Sequence, residues 1–244
     1  QSAITALASA ISYLAVGNRK RLAAETAHYI PDFQSAPILH RIEWSYRWLI
    51  DALINHMGYI MPTLWILIVS IILLNWKKFN SQILSKVAVV SLTVATALYF
   101  RGSSSIDGLN VFNFYVKWGV EGLPKISYLY LIFWTIILAL TVLGLYFVSK
   151  EQLKERWMLP AIFMGLIVSA GLMTMSPTMY ASGERTMFLP ATIGIVIITL
   201  LSGYVIKNHQ NYKLVVVTLI VSFASINYLI LATQIVTPFL GYPF

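Results

Sequence analysis

The sequence predicts an all-α integral membrane protein, a polytopic bundle of transmembrane helices. Apolar residues make up 58% of the chain and charged residues 11%, whereas soluble domains carry about 25% charged residues. Apolar stretches of roughly 20 residues, the length needed to cross a bilayer, recur along the chain. The net charge of +8 is then explained by membrane topology, because the cytoplasmic loops of membrane proteins carry an excess of Lys and Arg. We therefore expect membrane lipids, and no nucleic acid, as partners.

Taken in order, the apolar stretches predict one partial and six full transmembrane helices. Residues 1–16 are apolar but short for a span, so we expect the end of a helix, and a chain that is the C-terminal part of a longer protein. Residues 1–244 would form a single transmembrane domain. The sequence does not fix the residue at which the first full span begins, because residues 49–57 could form its first turns. The six full spans are predicted at 58–74, 83–100, 126–148, 158–175, 187–206 and 214–236.

Two further segments are predicted to lie at the membrane surface. In 37–57, apolar residues recur at helical spacing on one side. Glu43, Arg47 and Asp51 follow at four-residue intervals on the other side, where they can pair along the helix. This pattern is typical of an interfacial helix. The aromatic segment 111–118 is too short and too polar to span, and we expect it to dip into the membrane.

The loops between these spans fall into two alternating sets. The short loops 75–86, 149–157 and 207–213 carry eight basic residues and two acidic ones. Cytoplasmic loops are enriched in Lys and Arg, so we place this set in the cytoplasm. The long loops, which hold seven of the nine acidic residues, would face outward.

The outward loop 176–186 combines residues that a plain surface turn does not need. Pro177 breaks the helix and Gly183 permits a sharp turn. Arg185 heads the next span, where it adds positive charge to the exposed N–H groups of a helix start, a suitable mount for phosphate. The alternative is that Glu184 and Arg185 only cap and solvate a turn. Tyr180 is either part of the interfacial aromatic belt or a platform for a sugar.

A second basic cluster lies just after the partial first helix. Asn18, Arg19, Lys20 and Arg21 are predicted on the outer side, where positive charge is less expected. Arginine binds phosphate in a bidentate manner, so the cluster could clamp an anionic lipid headgroup. Ordinary interfacial anchoring is the alternative.

Four residues could transfer protons at the outer face: Glu25, His28, Asp32 and His40. We rank Asp32 first, because it follows Pro31 in a loop and is not held by helix pairing, and Glu25 second. Solvated loop charges are the alternative for each. Glu25, His28 and Asp32 could also hold a divalent metal, but their spacing is common, so no metal ligand is assigned and the cofactor stays open. No nucleotide-binding or hydrolase motif is present.

The motifs 17–21 and 176–186, with the amphipathic segment between them, resemble bacterial polytopic membrane proteins of the GT-C-like glycosyltransferase type, in particular a glucosyltransferase-like group. Members show a Gly-Asn-x-x-Arg element after a helix end, and later a Ser-Pro loop with an arginine entering the next helix. Val16 stands where the pattern has a proline. The acidic first outer loop of such enzymes would lie upstream of Gln1.

This resemblance implies transfer of a sugar from a polyprenyl-phosphate donor to a cell-envelope acceptor outside a bacterial cell membrane. Arg185 and the 17–21 cluster, with His28 and Tyr180, would bind the donor. Asp32, Glu25 or an upstream carboxylate would deprotonate the acceptor. Two alternatives remain: a flippase or transporter of a lipid-linked glycan or other anion, and a non-catalytic membrane subunit of a larger complex.

Overall fold

A computed structural model describes residues 36–55, 57, 59–79, 81–102, 126–152, 155–174, 187–222 and 225. These residues are 92% helical and contain no strands, which confirms the predicted all-α class for this part of the chain. The helices are α1 (Ile38–Asn55), α2 (Ile60–Leu74), α3 (Trp76–Phe79), α4 (Ile83–Gly102), α5 (Ile126–Gln152), α6 (Met158–Thr174), α7 (Phe188–Asn208), a 3-10 turn (Gln210–Tyr212) and α8 (213–222).

Three of these helices are long and apolar enough to cross a membrane. The qualifying stretches are Ile83–Phe100 in α4, Leu131–Lys150 in α5 and Phe188–Asn208 in α7. Helices α2 and α6 are also apolar but shorter. The five predicted spans between residues 58 and 206 thus coincide with five apolar helices. The predicted helix 1–16, the segment 111–118 and most of the span 214–236 lie outside the described residues.

The helix boundaries refine the predicted ones. Helix α1 ends at Asn55 and α2 begins at Ile60, so residues 49–55 belong to a separate helix and are not the first turns of the span. Helix α5 continues to Gln152, past the predicted end at 148. The continuation includes Ser149, which is buried and whose Oγ donates to the Glu155 carbonyl at 2.6 Å.

The chain divides into two compact units. Among the described residues, the first unit holds α1, the end of α6 from Ile167, and residues 187–189. The second unit holds residues from Met57 to Leu166 and from Pro190 onward.

Helices α2, α4 and α5 pack against one another in the second unit. The indole of Trp65 in α2 stacks on that of Trp134 in α5, with ring centroids 5.7 Å apart. Its Nε1 donates to Thr141 Oγ1 at 2.9 Å, and Thr141 Oγ1 donates in turn to the Ile137 carbonyl at 2.8 Å. Because an unsatisfied polar group is costly in apolar surroundings, this chain of hydrogen bonds fixes α5 against α2.

Two glycines in this unit allow close contact between helices. A Cβ at Gly144 of α5 would lie 2.7 Å from Ile68 Cγ2, and one at Gly194 of α7 would lie 2.6 Å from Ile60 Cγ2. Both distances are too short for a real side chain. Small residues let membrane helices approach closely, and these positions show where they do so.

Candidate functional site

The residues predicted to form the site lie outside the described part of the chain. This holds for all nine: Asn18, Arg19, Lys20, Arg21, Glu25, His28, Asp32, Tyr180 and Arg185. The structure does describe the helices that lead into these segments, namely the start of α1, the end of α6 and the start of α7.

Helix α1 contacts the end of α6 from which the 175–186 segment departs. In the first unit, a Cβ on Gly171 of α6 would lie 3.8 Å from Leu49 Cδ2 of α1, an ordinary packing distance. Met187, on the far side of the segment, is buried and belongs to the same unit. The helix α1, which follows the segment 17–21 along the chain, and the helix ends that flank the segment 176–186 therefore belong to the same compact unit.

Helix α1 carries a charged group that begins at a buried arginine. The Arg47 side chain is only 4% exposed. Its Nε donates to Glu43 Oε1 at 3.0 Å, and Nη2 donates to the same oxygen. The predicted pairing of Glu43 with Arg47 is confirmed. The side chain of Asp51, the third residue of the predicted row, lies outside the described atoms.

The second carboxylate oxygen of Glu43 faces a histidine. Glu43 Oε2 lies 3.8 Å from His40 Nδ1, and the His40 side chain is 60% exposed. Glu43 therefore lies between a buried guanidinium and an exposed imidazole. His40 is the one predicted proton-transfer candidate within the described ranges, and a carboxylate at this position can orient the ring.

The burial of Arg47 is a feature that sequence reasoning missed. The helical pattern placed Glu43 and Arg47 opposite the apolar side of α1. In the structure Arg47 is buried, while the apolar residues Ile38, Leu39 and Ile42 are exposed and those from Ile50 onward, including Leu53, are buried. The four-residue spacing of Glu43 and Arg47 signalled the pair. Only the tertiary packing shows which side of the helix is covered.

An aromatic cluster lies where α2 begins and α4 ends. Tyr59 stacks on Phe100 with centroids 5.9 Å apart, and it meets Tyr99 edge-on at 6.3 Å. Tyr99 in turn meets Trp65 edge-on at 6.3 Å. Tyr59, Tyr99 and Phe100 are half-buried. Partly accessible aromatic faces of this kind can contact a sugar ring or an isoprenoid chain.

Metal binding has no support in the part of the chain that the structure describes. No group of three or more His, Asp or Glu side chains there is arranged to hold a metal ion. The weak metal motif of Glu25, His28 and Asp32 lies outside that part.

Comparison of the chain with protein-family models, with curated proteins and with solved structures gives no match. The residues and helices thus define a class only: an α-helical protein, three of whose described helices can cross a membrane.

Proposed function

We propose that this chain is a bacterial membrane glycosyltransferase of the GT-C-like type. It moves a sugar from a polyprenyl-phosphate donor to a cell-envelope acceptor at the outer face of the cell membrane. Six full spans and one partial span hold it in the bilayer, with the short basic loops in the cytoplasm and the long loops outside.

One observation supports this proposal above the others. In the first unit, a Cβ on Gly171 of α6 would lie 3.8 Å from Leu49 Cδ2 of α1. Along the chain, α1 follows the predicted binding segment 17–21 and α6 precedes the segment 176–186. A donor phosphate held by residues of 17–21 and by Arg185 requires that the two segments attach close together. That α1 and the end of α6 belong to one compact unit supports the proposal.

In the proposed reaction, an acceptor hydroxyl oxygen forms a bond to C1 of the sugar. The bond from C1 to the phosphate oxygen breaks, and its electron pair leaves with the polyprenyl phosphate. Arg185 and the basic residues of 17–21, with Asn18 and His28, hold the phosphate and stabilise its growing charge. Asp32, or Glu25, takes the proton of the acceptor hydroxyl. Tyr180 stacks on the sugar, and 111–118 contacts the polyprenyl chain.

A flippase or transporter of a lipid-linked glycan is the second candidate. The burial of Arg47 beside Glu43 favours it, because charged residues inside a membrane protein often mark the path of a transported ion or headgroup. Such a protein would use the same basic residues to bind the donor without breaking a bond.

Reconstitution in vesicles with a radiolabelled polyprenyl-phosphate sugar tests the proposal. We expect labelled sugar to move to a glycan acceptor. Arg185→Ala should lower kcat/KM by about 100-fold through loss of charge stabilisation. Asp32→Ala should lower kcat by at least about 100-fold through loss of the base. Arg156→Ala, at an exposed position in the connection between α5 and α6, is the control and should retain full activity.

The outcomes separate the two candidates. Transfer that survives in both Arg185→Ala and Asp32→Ala would show that the site residues are wrong. Movement of labelled lipid between leaflets without sugar transfer would replace the enzyme by the flippase.

A further inference from the structure

The connection between α2 and α4 displays a concentrated positive charge. Lys77 and Lys78 on α3 and Lys86 in the first turns of α4 are all exposed. The sequence has no Asp or Glu anywhere from 57 to 102. Nothing within this stretch therefore neutralises the three lysines.

Buried groups anchor both ends of this connection. Phe79 is 1% exposed and meets Phe147 of α5 edge-on, with centroids 6.2 Å apart. Ser85 is fully buried, and its Oγ lies 2.8 Å from the Phe79 carbonyl oxygen and 2.7 Å from that of Gln82. Phe79 and Ser85 thus pin the two ends of the turn together.

This turn brings two lysines into reach of a common ligand. Lys78 precedes Phe79 and Lys86 follows Ser85, and Phe79 O and Ser85 Oγ are 2.8 Å apart. The long lysine side chains can therefore converge on one anion, whereas two lysines on a mobile loop would first have to be ordered.

An exposed apolar stripe on α4 begins beside these lysines. Ile83, Val87, Val90 and Val94 are 75%, 45%, 62% and 46% exposed, and their spacing places them on one face of the helix. Lys86 lies four residues before Val90, at the edge of the same face. From Ile83 to Val94 the stripe measures about 17 Å at 1.5 Å per residue. One leaflet of a bilayer has a hydrocarbon depth of about 15 Å.

We propose that the α3–α4 turn and the α4 stripe form a binding site for one anionic phospholipid. The phosphate group contacts Lys78 and Lys86, with Lys77 nearby, and an acyl chain lies along Ile83, Val87, Val90 and Val94. Charge selects an anionic over a zwitterionic lipid, and the length of the stripe matches one acyl layer. The site is independent of the proposed sugar transfer.

Native mass spectrometry of the purified full chain in detergent tests this site. We expect dioleoyl-phosphatidylglycerol to bind at least tenfold more tightly than dioleoyl-phosphatidylcholine. The double variant Lys78→Gln/Lys86→Gln should weaken phosphatidylglycerol binding by about 25-fold, or about fivefold for each lysine. The control Lys207→Gln/Lys213→Gln makes the same change of charge at two other exposed lysines and should weaken binding less than twofold.

Two results would overturn the proposal. Equal weakening by the two double variants would show a diffuse charge effect without a site. Full displacement of the lipid by an equimolar concentration of inorganic phosphate would show an anion site to which the α4 stripe contributes nothing. Circular dichroism of each variant confirms that its helices are intact.

Discussion

At the residue scale, the pair of Arg47 and Glu43 differs most from an ordinary ion pair on an exposed helix face. On an exposed helix face such a pair contributes only about 0.3–0.5 kcal/mol. Here Arg47 is buried and directs two nitrogen donors to one carboxylate oxygen. Removing one partner takes away these charge-assisted hydrogen bonds at a buried guanidinium, which costs more than such a pair contributes on a surface.

We therefore expect Arg47→Met to destabilise the protein by about 1–3 kcal/mol, because the Glu43 carboxylate loses the two hydrogen bonds that Arg47 donates. The double variant Glu43→Leu/Arg47→Met should recover most of this loss, since neither charge of the pair then remains. Thermal unfolding in detergent, followed by circular dichroism, measures both. A double variant less stable than Arg47→Met would contradict this account.

At the element scale, glycines set how closely the helices of the second unit approach. Gly144 of α5 faces Ile68 of α2 and Leu92 of α4, where all three helices meet. Ile68 Cγ2 is attached directly to its Cβ, so it cannot move away as a long side chain would. The hydrogen bond from Trp65 to Thr141 lies one helical turn from Gly144 and requires the same close approach.

We expect Gly144→Ala to destabilise the packing of α5 against α2. Overpacking costs about 1–3 kcal/mol, and the gain from replacing glycine by alanine in a helix, about 1 kcal/mol, offsets only part of it. Gly203→Ala in α7 is the control, because a Cβ there meets nothing within 4 Å. That variant should leave the stability unchanged or raise it. Unfolding midpoints in one detergent give both values, and equal midpoints for the two variants would show that Gly144 is not tightly packed.

At the scale of the whole molecule, the distribution of charge predicts which side of the membrane each connection faces. Outside α1, the described cations lie near the ends of the apolar helices, and Lys77, Lys86, Arg156, Lys207 and Lys213 are all exposed. Each of these residues belongs to one of the short connections, which the excess of Lys and Arg assigns to the cytoplasm.

Because the chain has no cysteine, single cysteines can report this topology directly. In intact cells, a membrane-impermeant maleimide should label Ser104→Cys and Thr178→Cys, which lie in loops predicted to face outward. Ser81→Cys and Gln210→Cys, at exposed positions in short connections, should react only after the membrane is permeabilised. Labelling of Ser81→Cys in intact cells would reverse the predicted orientation.

The candidate site was predicted from the sequence only as two segments and a set of residue types. The spacing of Glu43 and Arg47 was sufficient to predict their pairing, because residues four apart are neighbours on any helix. The three-residue spacing of His40 and Glu43 brings these two together by the same rule. The burial of Arg47, in contrast, depends on which elements cover α1. Local spacing cannot give that information.

The sequence by itself determined the helices, because long apolar runs can satisfy their backbone hydrogen bonds in a membrane only by forming helices or closed barrels, and these runs lack strand alternation. The predicted span 83–100 is observed as the apolar stretch Ile83–Phe100 of α4. The tertiary structure decided the rest: that Gly144 meets Ile68, that Ser85 pins the α3–α4 turn, and that Arg47 rather than Ile38 is buried on α1. These contacts join residues from different turns and helices. Because apolar side chains of similar size are largely interchangeable in a core, hydrophobicity alone does not determine which of them contact one another.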